Sequence, residues 1–572
     1  KLPVKNLVSV YRFVRLTKIV LLMSNYIKQA GRYWRTLKHL QAGQILNRLS
    51  RRFLPAKSPL VTIPLVSQFK PNIDWPAKKE SILAHSRFLF LNEEKELNFP
   101  NDWNNKNIPL LWVYNLHYHD GLLSVDTEVD LKKSYIKQWI AGNLSMSGVG
   151  WAPYPISLRV VNWIKWSWVS KEHIENFDRS LAIQISHLYY SLEYHLMGNH
   201  LLENAKALIF GGCYFEGGEA TRWLNKGLTI LDKQLGEQIL EDGGHFELSP
   251  MYHSIMLELV LDLLALSKKI DSPRSLRSRT SMLCAVAHKM STWLAIMVHP
   301  DNEISFFNDA STGIALPPTT LKGYLNTLEA KKIDPDTFGV KYLSTSGYIR
   351  MENKFGILFA DVAEIGASYL PGHGHADALS IEFSLFGYRL FVNLGTSEYG
   401  QGARRDFERS TAAHSTLELN GENSSEIWSG FRVGRRARVS NVDIKSDESQ
   451  YELVAQHNGY RYLSGRPVHS RRILFSESEL EIIDEINKNS HLGCVRFHIH
   501  PRIKLFISEC GSRGFLTFPD GSEVVWESDA DLVFEEDNEY AWEFGKKISM
   551  KTLVLQQNKS NRSTFKVKWL CR

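Results

Sequence analysis

Four short polar clusters interrupt an otherwise periodic chain of 572 residues. Each groups side chains that can move protons, hold anions or bind a metal. The first runs Trp151-Ala152-Pro153-Tyr154 and on to Arg159. An Arg with Trp and Tyr neighbours offers a carboxylated sugar a bidentate charged partner and a flat face; an aromatic-capped helix start with a surface Arg is the plainer alternative. The second, Gly198-Asn199-His200, stands where one helical pattern ends and the next begins. An amide and an imidazole there lie where the helix dipole favours anions. The third runs from Glu247 through Ser249-Pro250-Met251-Tyr252-His253. Ser249 suits an N-cap and Pro250 the first helical position, so Tyr252 and His253 project from the first turn. The fourth, His373-Gly374-His375-Ala376-Asp377, alternates two imidazoles onto one side of an extended chain, which suits a metal or a catalytic pair. Asn393, Tyr399, Arg404-Arg405, Arg409 and His414 follow, and His375, Asn393 and His414 could converge from neighbouring strands.

The elements that must position these groups fall into two textures. From about Asp74 to Leu328 apolar residues recur at three and four, which predicts helices over 173–196, 201–210, 220–240, 250–267 and 277–298. After Gly347 the period becomes two, and short Gly, Asn and Asp turns separate the runs. The clearest hairpin is LSIEFSLFGYRLFVNLG, beginning at Leu379. A helical half followed by a β half means separate domains rather than an α/β unit. The predicted organisation is a basic helical arm (1–73), a helical domain (74–330) and an antiparallel β domain (331–572).

Composition bounds the rest. A chain that is 43% hydrophobic and 23% charged is globular, which excludes disorder and collagen-like repeats. The aromatic share of 11% suits stacking on sugars, although most aromatics serve as core. The five cysteines are scattered and form neither a disulfide framework nor a cysteine zinc site. Net charge is +6, but Lys and Arg recur through residues 1–57 and the first acidic residue is Asp74. Such an arm could meet lipid, nucleic acid or polyanionic sugar, or be a solvated helix. Its longest apolar run, 19–23, is far short of the ~20 residues that span a bilayer, and it lacks the ordered regions of a signal peptide. No transmembrane segment is expected; the location reads as periplasmic or secreted if a leader has been removed, and otherwise cytoplasmic.

The motifs Gly198-Asn199-His200, Glu247 to His253, His373 to Asp377, Asn393-Leu394-Gly395-Thr396 and Ala413-His414-Ser415-Thr416, in this order, resemble the heparinase II/III-like polysaccharide lyases and related alginate lyases. The resemblance runs from about Trp112 to Arg438. It implies an incomplete (α/α) toroid followed by an antiparallel β-sandwich domain, with the substrate cleft between them. It also implies β-elimination on a uronic acid. Carbon 5 of a uronate is a poor acid until its carboxylate is neutralised. By the family match Asn199 does this, helped by His373 and Arg159. Tyr252 is the acid for the leaving oxygen, and also the base when proton and leaving group lie on one face. His200 is the base when they lie on opposite faces, and Tyr399 is a secondary catalytic candidate. A basic Tyr needs its ordinary pKa of ~10 lowered, which nearby cations are expected to do. Trp151, Tyr154, Arg159, Glu247, His253, Arg405 and Arg409 are the substrate-binding candidates.

His375, Asn393 and His414 are the expected ligands of a divalent ion, Zn²⁺ or Mn²⁺. The family typically has Asp where this chain has Asn393, which removes one negative charge from the set. The expected partner is an acidic polysaccharide, glycosaminoglycan first and alginate second, with no nucleic acid. Two other classes stay open: an inverting glycoside hydrolase using Asp242, Glu247 or Asp377, and a non-catalytic polysaccharide-binding or assembly protein.

Overall fold

The computed structural model describes residues 28–53 and 62–570, apart from 145, 171, 330–333, 448, 488–490 and 559. The apolar run 19–23 and Cys571 lie outside the described residues. Helices dominate up to Glu329, and strands follow from Gly339. Pro250–Ser267 is a core helix of the first domain. Its apolar residues point in every direction, so it buries its whole circumference against Gly198–Tyr214, Thr280–Ile296 and Pro318–Glu329. Among the described residues it is the one helix long and apolar enough to cross a bilayer, but its burial marks it as a core helix. Five tryptophans, Trp103, Trp112, Trp139, Trp163 and Trp223, are buried in the same core. Most of the aromatic surplus is therefore packing.

One predicted helix is cut short. The 173–196 pattern forms Phe177–Tyr190 only. The next residues leave the helix because Asn204 accepts from the Glu193 backbone N–H at 2.9 Å and donates to its carboxylate at 3.1 Å. That loop carries Glu193 and His195 to the cleft side.

The β domain is two packed antiparallel sheets. One runs Leu532–Glu543, Lys546–Gln557, Gly493–Ile499, Tyr388–Val392, Ile381–Leu385, Gly356–Asp361, Tyr348–Glu352 and Gly339–Leu343, with Leu417–Leu419 paired beside Gly493–Ile499. The other runs Val439–Ser446, Gln450–His457, His469–Ser476, Glu479–Ile486, Arg562–Lys568, Glu523–Ser528, Arg513–Thr517 and Lys504–Ile507. Inward residues such as Phe383, Phe391, Phe475, Phe497 and Phe565 interleave between the sheets. The expected hairpin forms as Ile381–Leu385 against Tyr388–Val392, turning at Phe386 and Gly387 with both φ positive.

Leu261→Ala, within Pro250–Ser267, should lower the stability of the helical domain by about 2–5 kcal/mol. Urea unfolding followed by circular dichroism reads this. A loss under about 1 kcal/mol would contradict a central place for that helix.

Candidate active site

Two helix starts and one loop bring the polar clusters together. Helix Gly198–Tyr214 begins at a glycine with φ +55°, and a Cβ there would lie 2.3 Å from Leu370 and 2.5 Å from the Glu247 carboxylate. Only glycine lets the chain enter this closely. Asn199 and His200 then occupy the first turn. Glu247 accepts from the Asn199 backbone N–H at 3.0 Å and from its Nδ2 at 3.0 and 3.1 Å, which fixes the amide's orientation. His200 is partly exposed; its Nδ1 lies 3.3 Å from the Glu193 carboxylate and its ring 4.3 Å from Tyr154. Burial opposes charge on His200, but Glu193, with Glu247 and Glu203 further off, outweighs it and raises its pKa above the ordinary histidine value.

The second start is Pro250–Ser267, with Ser249 as its N-cap and Pro250 at its first position, as the sequence predicts. Ser249 Oγ accepts from the Tyr252 N–H at 3.2 Å and donates to the Asp309 carbonyl. Tyr252 thus projects towards the β domain, where its hydroxyl lies 3.1 Å from that of Tyr399 and its ring 3.9 Å from His373. Burial, Tyr399 and the carboxylates of Asp309 and Glu247 push the Tyr252 phenol well above its ordinary pKa. The expected lowering by cations does not occur, because the nearby guanidinium of Arg405 is held by a carboxylate.

That carboxylate is Asp309. It accepts from both terminal nitrogens of Arg405, Nη2 at 2.7 Å, and receives His373 Nδ1 and His375 Nε2, each at 2.8 Å. Burial would raise its pKa, but Arg405 and the two imidazoles hold it well below the ordinary range. With Nδ1 of His373 held by Asp309, its Nε2 faces Glu247 Oε2 at 3.5 Å. Asn199 from the helical domain and His373 from the β domain therefore meet on one carboxylate.

The His375–His414 pair tests the expected metal site. His375 Nε2 donates to Asp309, and His414 Nδ1 donates to the Ser410 carbonyl at 2.7 Å. These bonds leave a lone pair on His375 Nδ1 and another on His414 Nε2, 3.1 Å apart. Two facing lone pairs need a cation or a proton between them. Burial lowers the pKa of both imidazoles, His375 to about 3, and two facing imidazole lone pairs are a donor set that suits a divalent ion. Asn393 is less free than expected: its Nδ2 donates to the Phe306 carbonyl at 3.0 Å and its Oδ1 accepts from Ser415 N–H at 3.2 Å.

Several expected substrate contacts are structural instead. Arg159 is fully buried, bonded to Gln184 and to the carbonyls of His117 and Gly150, with Trp139 under its guanidinium. Its charge binds the helical domain together and does not reach a sugar. Trp151 is buried, donating to the Asn143 carbonyl. His253 is buried between Trp293 and the Met290 carbonyl. Arg405 and Arg409 are also buried; Arg405 orients Asp309, and Arg409 donates to the Gly374 carbonyl between the two imidazoles. Glu247 is a positioning anion, and Tyr154 remains beside His200. Sequence reasoning missed Glu193 and Asp309. Glu193 sat inside a helical pattern, and Asp309 left one signal, the polar pair Asn308-Asp309 breaking the run Ile304-Ser305-Phe306-Phe307.

Comparison with known proteins extends this picture. The family described as Heparinase II/III N-terminus matches residues 133–331, and Heparinase II/III-like, C-terminal matches 335–570. A heparin-sulfate lyase from Bacteroides stercoris is 25% identical over 327 residues, 53% of this chain and 46% of that protein. One from Pedobacter heparinus is 24% identical over 402 residues, 66% of this chain and 58% of that protein. The chain thus spans about half the length of these relatives. The crystal structure of Heparinase III superposes with a TM-score of 0.70 at 15% identity, covering 95% of this chain and 91% of that one. Heparan sulfate lyase HepC from Pedobacter heparinus gives 0.54 at 18%, covering 92% and 88%. These likenesses establish the fold, an incomplete (α/α) toroid followed by a β-sandwich domain. With both halves matched in order and the motif residues meeting between them, the chain belongs to the heparinase II/III-like family.

Proposed function

We propose that this protein is a polysaccharide lyase that cleaves uronic-acid-containing glycans by β-elimination. The observation that carries the reading is the meeting of Asn199 and His373, from opposite domains, on Glu247 within reach of Tyr252 and His200. Asn199 Nδ2 takes the uronate carboxylate, joined by His373 Nε2 when both nitrogens of that ring carry protons, Nδ1–H being given to Asp309; this makes the carbon-5 proton acidic enough to remove. The carbon 5–hydrogen electron pair becomes the carbon 4–carbon 5 double bond as the carbon 4–oxygen bond breaks. Tyr252, held as a phenol, protonates the leaving oxygen. His200 takes the proton on the opposite face. For same-face elimination Tyr252 is the base, and its own proton leaves first, with the Tyr399 hydroxyl 3.1 Å away as the nearest relay. The relatives' names favour a heparan-sulfate-type glycosaminoglycan as substrate, with other hexuronate polymers and alginate behind it.

The hydrolase reading loses its carboxyls. Asp242 is bound to the backbone of Gly244, Thr345 and Ser346, Asp377 is buried, and Glu247 holds Asn199. His375 and His414, with the remaining lone pair of Asn393 Oδ1, would hold a divalent ion. Its positive charge would relieve the facing lone pairs and pin the loop carrying His373.

Incubation with heparan sulfate, heparin, chondroitin, hyaluronan and alginate should raise ultraviolet absorbance from the unsaturated uronate with at least one polymer. No rise with any of them would refute the lyase reading. Tyr252→Phe should cut turnover by ~10²–10⁴-fold with little change in binding. A variant keeping a tenth of wild-type activity would remove Tyr252 from proton transfer.

The pH dependence follows from the His200–Glu193 pair. A base must be neutral, and the pKa of His200 is raised, so kcat/KM on opposite-face substrates should climb as pH passes above the ordinary histidine range. Glu193→Gln removes the main force holding the proton, so this limb should move to lower pH. A limb that stays in place, or moves up, would contradict His200 as base.

Elemental analysis of the purified protein should find about one divalent ion per chain. His375→Ala should lose it, and Asn393→Asp should hold Zn²⁺ more tightly. Substoichiometric metal with full activity in chelator would leave the two imidazoles as a hydrogen-bonded pair.

A further inference from the structure

The basic N-terminal arm takes no part in the chemistry above, yet it touches both walls of the site. Its first helix, over 28–37, docks on the β domain. Arg35 makes a bidentate pair with Glu426 at 2.7 and 2.8 Å, Arg32 adds a third bond at 3.2 Å, and Tyr33 packs edge-on against Trp428 at 5.0 Å. Burial opposes charge on Glu426, but Arg35 and the Arg435 backbone hold its pKa down at about 2, so the clamp stays ionised. Glu426 and Trp428 belong to the base of a hairpin, Ile427–Trp428 with Arg432–Val433. Its tip reaches the reacting groups: Phe431 packs on Tyr399 at 5.2 Å and on His373 at 6.0 Å, and the Gly430 carbonyl accepts from Arg405.

The second helix, Ala42–Phe53, docks on the helical domain. Arg51 Nη1 lies 3.0 Å from His195 Nδ1, in the same loop as Glu193, which faces His200. The arm therefore runs along the rim from the wall bearing His373 to the wall bearing His200.

The cations on this rim exceed what its anchors use. Arg32 and Arg35 are neutralised by Glu426. Among the described residues, no carboxylate lies within ion-pair distance of Lys38, Arg48, Arg51, Arg436 or Arg438. Arg48 and Arg51 stand three apart on one exposed helical face. Partial burial, and then the charges of Arg436, Lys38 and Arg438, disfavour protonation of His39, so these three cations act on one neighbour. Trp34, 69% exposed and one turn before Lys38, adds a flat apolar face. Arg436 feels one carboxylate, Glu364, beyond ion-pair distance; the remaining excess of like charge is costly unless an anion neutralises it.

We propose that the rim formed by Lys38, Arg48, Arg51, Arg436 and Arg438, with Trp34, binds the anionic glycan chain remote from the bond being cleaved, so that the arm favours long polymer over short oligosaccharide. This rests on the lyase reading above. The ligand is a polymer with repeated carboxylate or sulfate groups, and the contact is electrostatic, so it weakens with salt.

The test is the full-length charge-reversal variant Arg48→Glu/Arg51→Glu beside the milder Arg48→Gln/Arg51→Gln, which keeps size and removes charge. Two readouts are taken: the salt concentration that elutes each protein from immobilised heparan sulfate, and KM on the polymer against KM on a tetrasaccharide. Elution should move to lower salt in both variants, further for charge reversal. Polymer KM should rise ~10-fold on reversal while tetrasaccharide KM moves less than ~2-fold. Unchanged elution and unchanged polymer KM in both variants would overturn the proposal. An equal rise on polymer and tetrasaccharide would also overturn it, since that reports a disturbed His195 loop. If the wild-type protein forms no unsaturated product from any polymer, the lyase reading falls, while the elution comparison still decides whether the rim binds anionic glycan.

Discussion

The whole site hangs on one buried carboxylate. Asp309 lies in the loop between helices Thr280–Ile296 and Pro318–Glu329 of the helical domain. Its side chain takes Arg405, His373 and His375, while its backbone carbonyl takes Ser249, the cap of the helix that presents Tyr252. Its own N–H donates to the His373 carbonyl at 3.0 Å. A carboxylate shut away from water costs several kcal/mol unless fully paired, so no member of this set can drift without leaving a charge exposed to an apolar interior. The same constraint sets both imidazole tautomers. His373 must offer Nε2 to the cleft, and His375 must offer Nδ1 to His414. The rings of His373 and His375 are thus held by one ion cluster.

The second feature is the sign of the field. Glu193 and Glu247 both lie beside the groups that handle the proton, and neither is free to act as a reactant. They act through their neighbours, Glu193 on the protonation of His200 and Glu247 on the orientation of Asn199. Burial first, then Tyr399 and the carboxylates of Asp309 and Glu247, keep Tyr252 a phenol in the resting site, which suits the acid role proposed for it. In the proposed reaction the uronate carboxylate is neutralised locally by Asn199 and His373, while Arg405 is committed to Asp309. In the role proposed for the basic rim, long-range attraction for an anionic polymer falls to it instead.

Much of this was legible in the sequence, for identifiable reasons. A change of apolar period from 3.6 to 2 marks the domain change because each period follows from backbone geometry. Ser249 and Pro250 mark a helix start because cap chemistry is local. The motif residues Asn199, His200, Tyr252 and His373 converge because the family's fold brings them together. What was misread depends on tertiary packing. Arg159 and Trp151 looked like a sugar platform, but a long side chain can be buried when backbone carbonyls ring it, and no spacing rule shows those carbonyls. Glu193 was hidden inside an apolar repeat because its exit from the helix is imposed by Asn204, eleven residues on. Asp309 left only the polar break after Phe307, because its side-chain partners lie 64 to 96 residues away.

The central claim is that two walls organised by Asp309 and Glu247 converge on a uronate carboxylate. A crystal structure of the Tyr252→Phe protein with a bound heparan-sulfate-type tetrasaccharide tests it most directly. The account predicts a uronate carboxylate within hydrogen-bond distance of Asn199 Nδ2 and His373 Nε2, with its carbon 5 facing residue 252 or His200. A sugar chain whose carboxylates all point away from Asn199 and His373, with its cleavable bond elsewhere on the protein, would contradict it.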